Sequence, residues 1–335
     1  MNRIIKAQLS KIKFLIGLNP KVEHKCKNPE QYIPEGYKAV CLISADLELA
    51  WAFRFSKITD NPIPRAVNLG LQTRKNVPII LDLCERYNIP ITWAAVGHLF
   101  LEKCERNEGI VHPEIKRLPK FNNEFWEYKE GDWFDADPCS DYRTDPAWYA
   151  PDLIKQIIES SVGHEIGCHT FSHIDCRDAV CSDEVFYSEM NLCLKLAGDL
   201  GINLKSFVHP GHQIGHLDDL VKLGFTSFRT NNSNLLGYPL KDKSGLWNFQ
   251  NTAEIKYRKD WSDRFNLYKY KRIIDRAVHN RKLIVFWFHP SFDNLTMKVI
   301  FPFILDYLDK NRNSIWITTH DQYASFLKNM AVLNG

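Results

Sequence analysis

The chain has 335 residues, 44% hydrophobic and 25% charged, enough for one large domain or two smaller ones with a proper core. A formal net charge of +3 excludes the strongly basic surface that nucleic acid requires. Nine cysteines, odd in number and without a C-x-x-C pair, exclude a disulfide framework and point to a reducing, cytoplasmic setting.

The opening stretch "MNRIIKAQLSKIKFLIGLNPK" is basic, and Lys11 and Lys13 break its apolar residues, so neither a secretion signal nor a membrane span is expected. Ile5, Leu9, Ile12 and Ile16 fall on one helical face. Packing of that face on the body of the protein is the expected arrangement, and contact with an anionic membrane at its inner face is the other reading. Residues 1–36 are set apart as a basic N-terminal extension.

From Tyr37 onward short apolar runs alternate with helix-period segments. "AVCLISADLE" predicts a buried strand, followed by a helix from about Arg65 to Tyr87 and a strand at "IPITWAAVGHLF". Residues 102–147 are polar, rich in aromatics and aperiodic, as an insertion on a βα-loop would be. "PDLIKQIIESS" reads as a helix with Pro near its start. The strand "HEIGCH", a helix over 182–200, the strand "LKSFVHP", the helix "LDDLVKLG" and the strand "FTSFR" follow. A helix over 270–279, the strand "KLIVFWFHP", a helix over 302–308, the strand "SIWITTH" and the helix "DQYASFLKN" complete the chain. Strands that are almost continuously apolar, alternating with helices, predict an α/β fold: a (β/α) barrel of about seven parallel strands over residues 37–330.

In such barrels the site gathers where strands end. After the predicted strands come Asp46 and Glu48, His98, His169 and His173, His209 and His212, His289, and Thr319 with His320, which together hold most of the 12 histidines. The spaced pair His169 and His173 with a carboxylate from another strand end makes the His/His/acid set of catalytic zinc sites. Asp46 and Glu48, two apart on an extended segment, would share a face. "HEIGCH" is not the H-E-x-x-H metalloprotease helix, because the spacing is one residue too long and His164 and His169 would point to opposite faces of a strand. Cys168, Cys176 and Cys181 match no zinc ribbon or finger and read as small buried hydrophobes.

In this order the residues resemble the polysaccharide deacetylases of carbohydrate esterase family four. "SADLE" stands at its acidic motif, "HTFSH" at its H-[ST]-x-x-H motif and "FWFHP" at its last strand, while "SFVHPGHQIGHLDDL" is similar to a segment of bacterial deacetylases of surface-polysaccharide (O-antigen or capsule) biosynthesis. The resemblance implies a distorted barrel, one divalent metal ion, most often zinc, and hydrolytic removal of an N-acyl group from a sugar. It implies Glu48, His169 and His173 as metal ligands, Asp46 as base and His289 as general acid, with the roles of Asp46 and Glu48 exchangeable. The arginine that usually positions the base is missing from its usual place, where Gly211 stands with His212 after it, and "GLWNF" around Trp247 is the only remnant of a tryptophan-bearing motif. His209, His212 and Gln213 are therefore expected to rebuild the substrate-binding site, with Trp133, and beside it Trp126, Tyr142 and Trp148, as candidates to stack on sugar rings. The expected partner is a carbohydrate: a nucleotide sugar, a lipid-linked glycan or an oligosaccharide. A hydrolase of non-sugar amides and a catalytically degenerate glycan-binding barrel are the rival readings.

Overall fold

The computed structural model describes residues 3–16, 19–23, 28–230 and 234–333, with side chains from Gln8 to Ala331. Ten strands make the main sheet: β1 (Ala39–Leu47), β2 (Thr92–Ala95), β3 (Glu165–Cys168), β4 (Ser206–Val208), β5 (Ser227–Thr230), β6 (Leu240–Lys241), β7 (Trp247–Gln250), β8 (Ala253–Glu254), β9 (Leu283–Phe288) and β10 (Ile315–Thr318). Their order is β6-β7-β5-β4-β3-β2-β1-β9-β8, and β10 pairs with Ala39–Leu42 of β1. All pairings are parallel except that of the short β6. The sheet curls, and β8 at one end follows directly in the chain on β7, the last parallel strand at the other end, through Asn251 and Thr252. The Thr252 N–H donates to Val285 O of β9 at 2.8 Å, so the linker itself carries the ladder across the seam. The seven predicted strands are all present, in a distorted (β/α) barrel; β6, β7 and β8 are additional.

Among the described residues eight α-helices accompany the strands: α1 (Arg3–Leu15), α2 (Pro62–Tyr87), α3 (Pro151–Glu159), α4 (Asp183–Asp199), α5 (Leu217–Lys222), α6 (Asp263–Asn280), α7 (Phe301–Lys310) and α8 (His320–Leu333). α4 starts where Ser182 caps it, its hydroxyl accepting from the Val185 N–H, and Ser262 does the same for α6 through Phe265.

The period-2 alternation of β1 decides what the barrel holds. Cys41, Ile43, Ala45 and Leu47 join the large core beneath the helices, while Val40 and Leu42 face inward and join Leu283, Val285, Phe249 and the α8 residues Tyr323, Ala324 and Leu327. The same inward row continues through Ser44 to Asp46 and Glu48. The barrel interior thus begins as a packed apolar plug and turns polar toward the strand ends. In β9 the inward row runs Leu283, Val285, Trp287 and then His289.

The N-terminal helix departs from expectation. It rests on α6 through Phe14, whose ring meets Phe265 at 5.9 Å and Tyr268 at 6.2 Å between centroids. Leu9, Ile12 and Ile16, the expected packing face, are 42%, 52% and 64% exposed. The Ile5 side chain lies outside the described residues. Phe14 offers the larger apolar surface to the aromatic face of α6, and that contact sets the helix rotation.

Candidate active site

β1 ends with its inward row carrying Asp46 and Glu48, each only 4% exposed. β3 ends one residue before His169, whose N–H bonds Ala95 O of β2 at 2.9 Å. The following "HTFSH" then turns back on itself: Thr170 and His173 sit at φ of 59° and 58°. That left-handed geometry is uncommon for such residues and is imposed by the surroundings. The buried Glu189 of α4 accepts from Ser172 N at 2.7 Å and from Ser172 Oγ at 2.5 Å, Trp133 Nε1 donates to the same hydroxyl at 2.7 Å, and Arg54 Nη2 donates to Ser172 O at 2.9 Å. Ser172 is thereby fixed on three sides, and the two imidazoles flanking it point the same way.

Both reach Glu48. His169 Nε2 lies 3.2 Å and His173 Nε2 3.1 Å from Glu48 Oε2, and His289 Nε2 lies 3.2 Å from Oε1. His169 Nδ1 sits 2.6 Å from Val208 O. A carbonyl only accepts, so that nitrogen carries a ring proton, and Nε2 is the atom turned to Glu48. Burial pulls His173 down to about 4, against the opposing pull of Glu48, so it is neutral near pH 7. Burial pushes the Glu48 carboxyl up, but the neighbouring His289, His169 and His173 outweigh that and hold it well below the usual carboxylate range. Two imidazole nitrogens and a carboxylate converging on one point are the donor set of a divalent transition-metal ion, and they fit it.

Asp46 points elsewhere. Its two oxygens each accept from Arg229 of β5 at 2.6 Å, and Arg229 also donates to Ser44 Oγ at 2.7 Å. Burial works to raise the Asp46 carboxyl, and the Arg229 charge and hydrogen bonds overcome it and hold the group ionised below the ordinary range. The arginine expected to be missing is therefore supplied by another strand. Gly211, at its usual place, has no room for a side chain: φ is +54° and a Cβ would stand 2.5 Å from the Trp126 ring. The tryptophan near the acid is Trp287, 5.1 Å beneath the Arg229 guanidinium, while Trp247 lies on β7 against the apolar plug.

These groups open onto one cavity of about 470 Å³, lined by Asp46, Glu48, His169, His173, His212 and His289 and walled by Phe53, Phe125, Trp126 and Trp287. Of His209, His212, Gln213 and Trp133 only His212 is on this wall. His209 is buried behind it, with Nε2 3.0 Å from Gly215 O, and Gln213 turns its amide to Gly211 O. Trp133 is spent on Ser172 and stacks on Phe55, and Trp148 packs on Trp51. The insertion's aromatics on the cavity are Phe125 and the expected candidate Trp126, the latter 4.9 Å from the His173 ring centroid. His98 and His320 also sit at strand ends yet lie off the cavity, His320 buried against Phe249. His164 accepts from the Ile91 N–H, on the opposite face from His169.

Residues 65–214 match the family model for polysaccharide deacetylase. The match includes His169, His173 and the strands β2, β3 and β4, and stops short of Arg229 and His289. In three dimensions the chain is similar to a probable polysaccharide deacetylase from Pseudomonas aeruginosa PAO1, with a TM-score of 0.60 and 14% identity over 94% of this chain and 97% of that one. It is also similar to Puue allantoinase, with a TM-score of 0.59 and 13% identity over 89% and 93% of the two chains. These likenesses are of fold. A search of curated proteins returns no match to the sequence.

Proposed function

We propose that this protein is a divergent polysaccharide deacetylase of carbohydrate esterase family four, a metal-dependent hydrolase that removes an N-acetyl or N-formyl group from a sugar during surface-polysaccharide assembly. The observation that carries the reading is the convergence of Glu48, His169 and His173 beside an Asp46 clamped by Arg229. Glu48, His169 and His173 would hold the ion, a set of nitrogen and oxygen donors that suits zinc, and a bound divalent ion supplies an acidified water and a polarised acyl carbonyl.

The chain's own groups do the rest. Asp46, with its orientation fixed by two bonds from Arg229, takes the proton of the attacking water as the new C–O bond forms. His289, about a third exposed at the cavity edge, gives a proton to the sugar nitrogen as the C–N bond breaks, so the amine leaves neutral. Trp126, Phe125 and Phe53 offer flat apolar walls for a pyranose ring, and His212 a polar contact beside them. Eight described cysteines, all unpaired, fit a cytoplasmic enzyme. No helix among the described residues is long and apolar enough to cross a membrane; the exposed Leu9, Ile12 and Ile16 among lysines fit a peripheral contact with the inner leaflet, where a lipid-linked glycan would be met.

Hydrolysis of a non-sugar amide is the second reading, favoured by the fold shared with Puue allantoinase. Release of acetate or formate from a panel of N-acylated sugars, set beside small linear and cyclic amides, separates the two. Asp46→Asn should abolish release and leave metal content unchanged; equal activity in variant and wild type would overturn the reading.

A further inference from the structure

His98 is fully buried, lies off the active-site cavity, and stands at the centre of a second polar cluster. Its Nε2 is 3.1 Å from His112 Nε2 and 2.9 Å from Asp137 Oδ2. His112 Nε2 is 3.4 Å from the same oxygen, and Cys104 Sγ is 3.3 Å from it. All four donors lie within 4.8 Å of one another. A tetrahedral ion with ligands at roughly 2.0–2.3 Å holds its donors about 3.3–3.7 Å apart, close to this spacing.

Hydrogen bonding alone accounts poorly for the arrangement. His98 Nδ1 lies 3.3 Å from Trp148 O and Nε2 2.9 Å from Asp137 Oδ2; both partners only accept, and a neutral ring has one proton for the two. With the proton on Nδ1, Nε2 turns a lone pair to the carboxylate oxygen; with it on Nε2, Nδ1 turns one to the Trp148 carbonyl, and one proton on His112 cannot serve both His98 and Asp137. Asp137 Oδ1 is already taken by the Tyr149 hydroxyl at 2.6 Å and the Cys139 N–H at 2.9 Å, an outer set of bonds that orients Oδ2 toward the gap.

We propose that His98, Cys104, His112 and Asp137 form a second, closed metal site of the zinc type, which fastens the insertion to the barrel. His98 comes from the turn after β2, and the other three come from the 102–147 segment that also carries Phe125 and Trp126 to the cavity. Four protein donors leave no open position, so the ion is structural. The proposal is independent of the chemistry assigned to the cavity.

The two sites differ in one donor: only the second contains a thiolate. Cobalt(II) added to the metal-free full chain should give a thiolate-to-cobalt charge-transfer band that persists in His169→Ala and is lost in Cys104→Ser. Zinc analysis should read two equivalents in the wild type and one in each variant. No thiolate band in the wild type, or zinc content unchanged by Cys104→Ser, would overturn the second site. One equivalent that Cys104→Ser keeps and His169→Ala loses would overturn it and leave the cavity site standing; the reverse would do the opposite.

Discussion

Arg229 and Asp46 are both buried, and an ion pair removed from water gains little net stability while costing much if one partner is lost. Arg229→Ala leaves a carboxylate with no counter-charge. We expect a loss of about 3–5 kcal/mol in urea unfolding, a cost typical of breaking a buried pair, together with loss of turnover. His289 is different: it is partly exposed and carries no structural burden in β9. His289→Asn should lower kcat by roughly 10²–10⁴-fold, the usual worth of a general acid, with metal content and melting temperature unchanged. The deficit should shrink on substrates whose leaving group departs without a proton, and an equal deficit on both would count against the role. The residues of this site differ in how far sequence alone exposes them. His169 and His173 are four apart, and Asp46 and Glu48 two apart, so local spacing displays them. Arg229 reaches Asp46 across 183 positions, and its only mark in the sequence is a charge at the end of the apolar run "FTSFR".

The turn from His169 to His173 is held in its left-handed geometry by groups outside it, Glu189 of α4 foremost. Glu189→Ala strips Ser172 of the acceptor for its N–H and for its hydroxyl proton, and metal affinity should fall about 10–100-fold, as outer-set losses do. Equilibrium dialysis against zinc measures this, and unchanged affinity would show that the turn holds its own shape. The segment Pro210–His212 answers to the same logic. Gly211 passes directly under Trp126, so Gly211→Ala should displace that ring, visible as a change in tryptophan fluorescence and a raised KM. The expectation that Trp133 would meet substrate failed for a reason of chemistry: its indole N–H found Ser172, and a buried donor is seldom left without a partner. Among neighbouring aromatics, sequence cannot tell which ring packs and which faces solvent.

The barrel was legible because its strands are buried on both faces and read as apolar runs. β6 is two residues long, and β7 and β8 escaped notice because "WNFQNTAE" mixes polar and apolar residues; β7 and β8 owe their place to the curl of the sheet. Burial of the histidines also sets the response to acid. Burial lowers His209 to about 4 and His320 to about 3, below the ordinary imidazole value of about 6.5. The unfolded chain therefore binds more protons, and the stability these groups lend is complete above pH 6.5 and drains away as the pH falls toward their folded values. Each should contribute a slope of up to about 1.4 kcal/mol per pH unit. Urea midpoints between pH 7 and 4.5 should fall, and His320→Phe should flatten the decline; a flat wild-type curve would exclude the effect. Closure of the sheet has a further consequence for biosynthesis. The strand bearing Asp46 is bordered by β9 along one edge and by β10 along the lower half of the other, and both are made last. A nascent chain carries that strand out of the ribosome with bare backbone donors and acceptors, a ready template for pairing with other chains. Termination before Leu283 should yield material that aggregates or stays bound to chaperones, because nothing upstream can cover it.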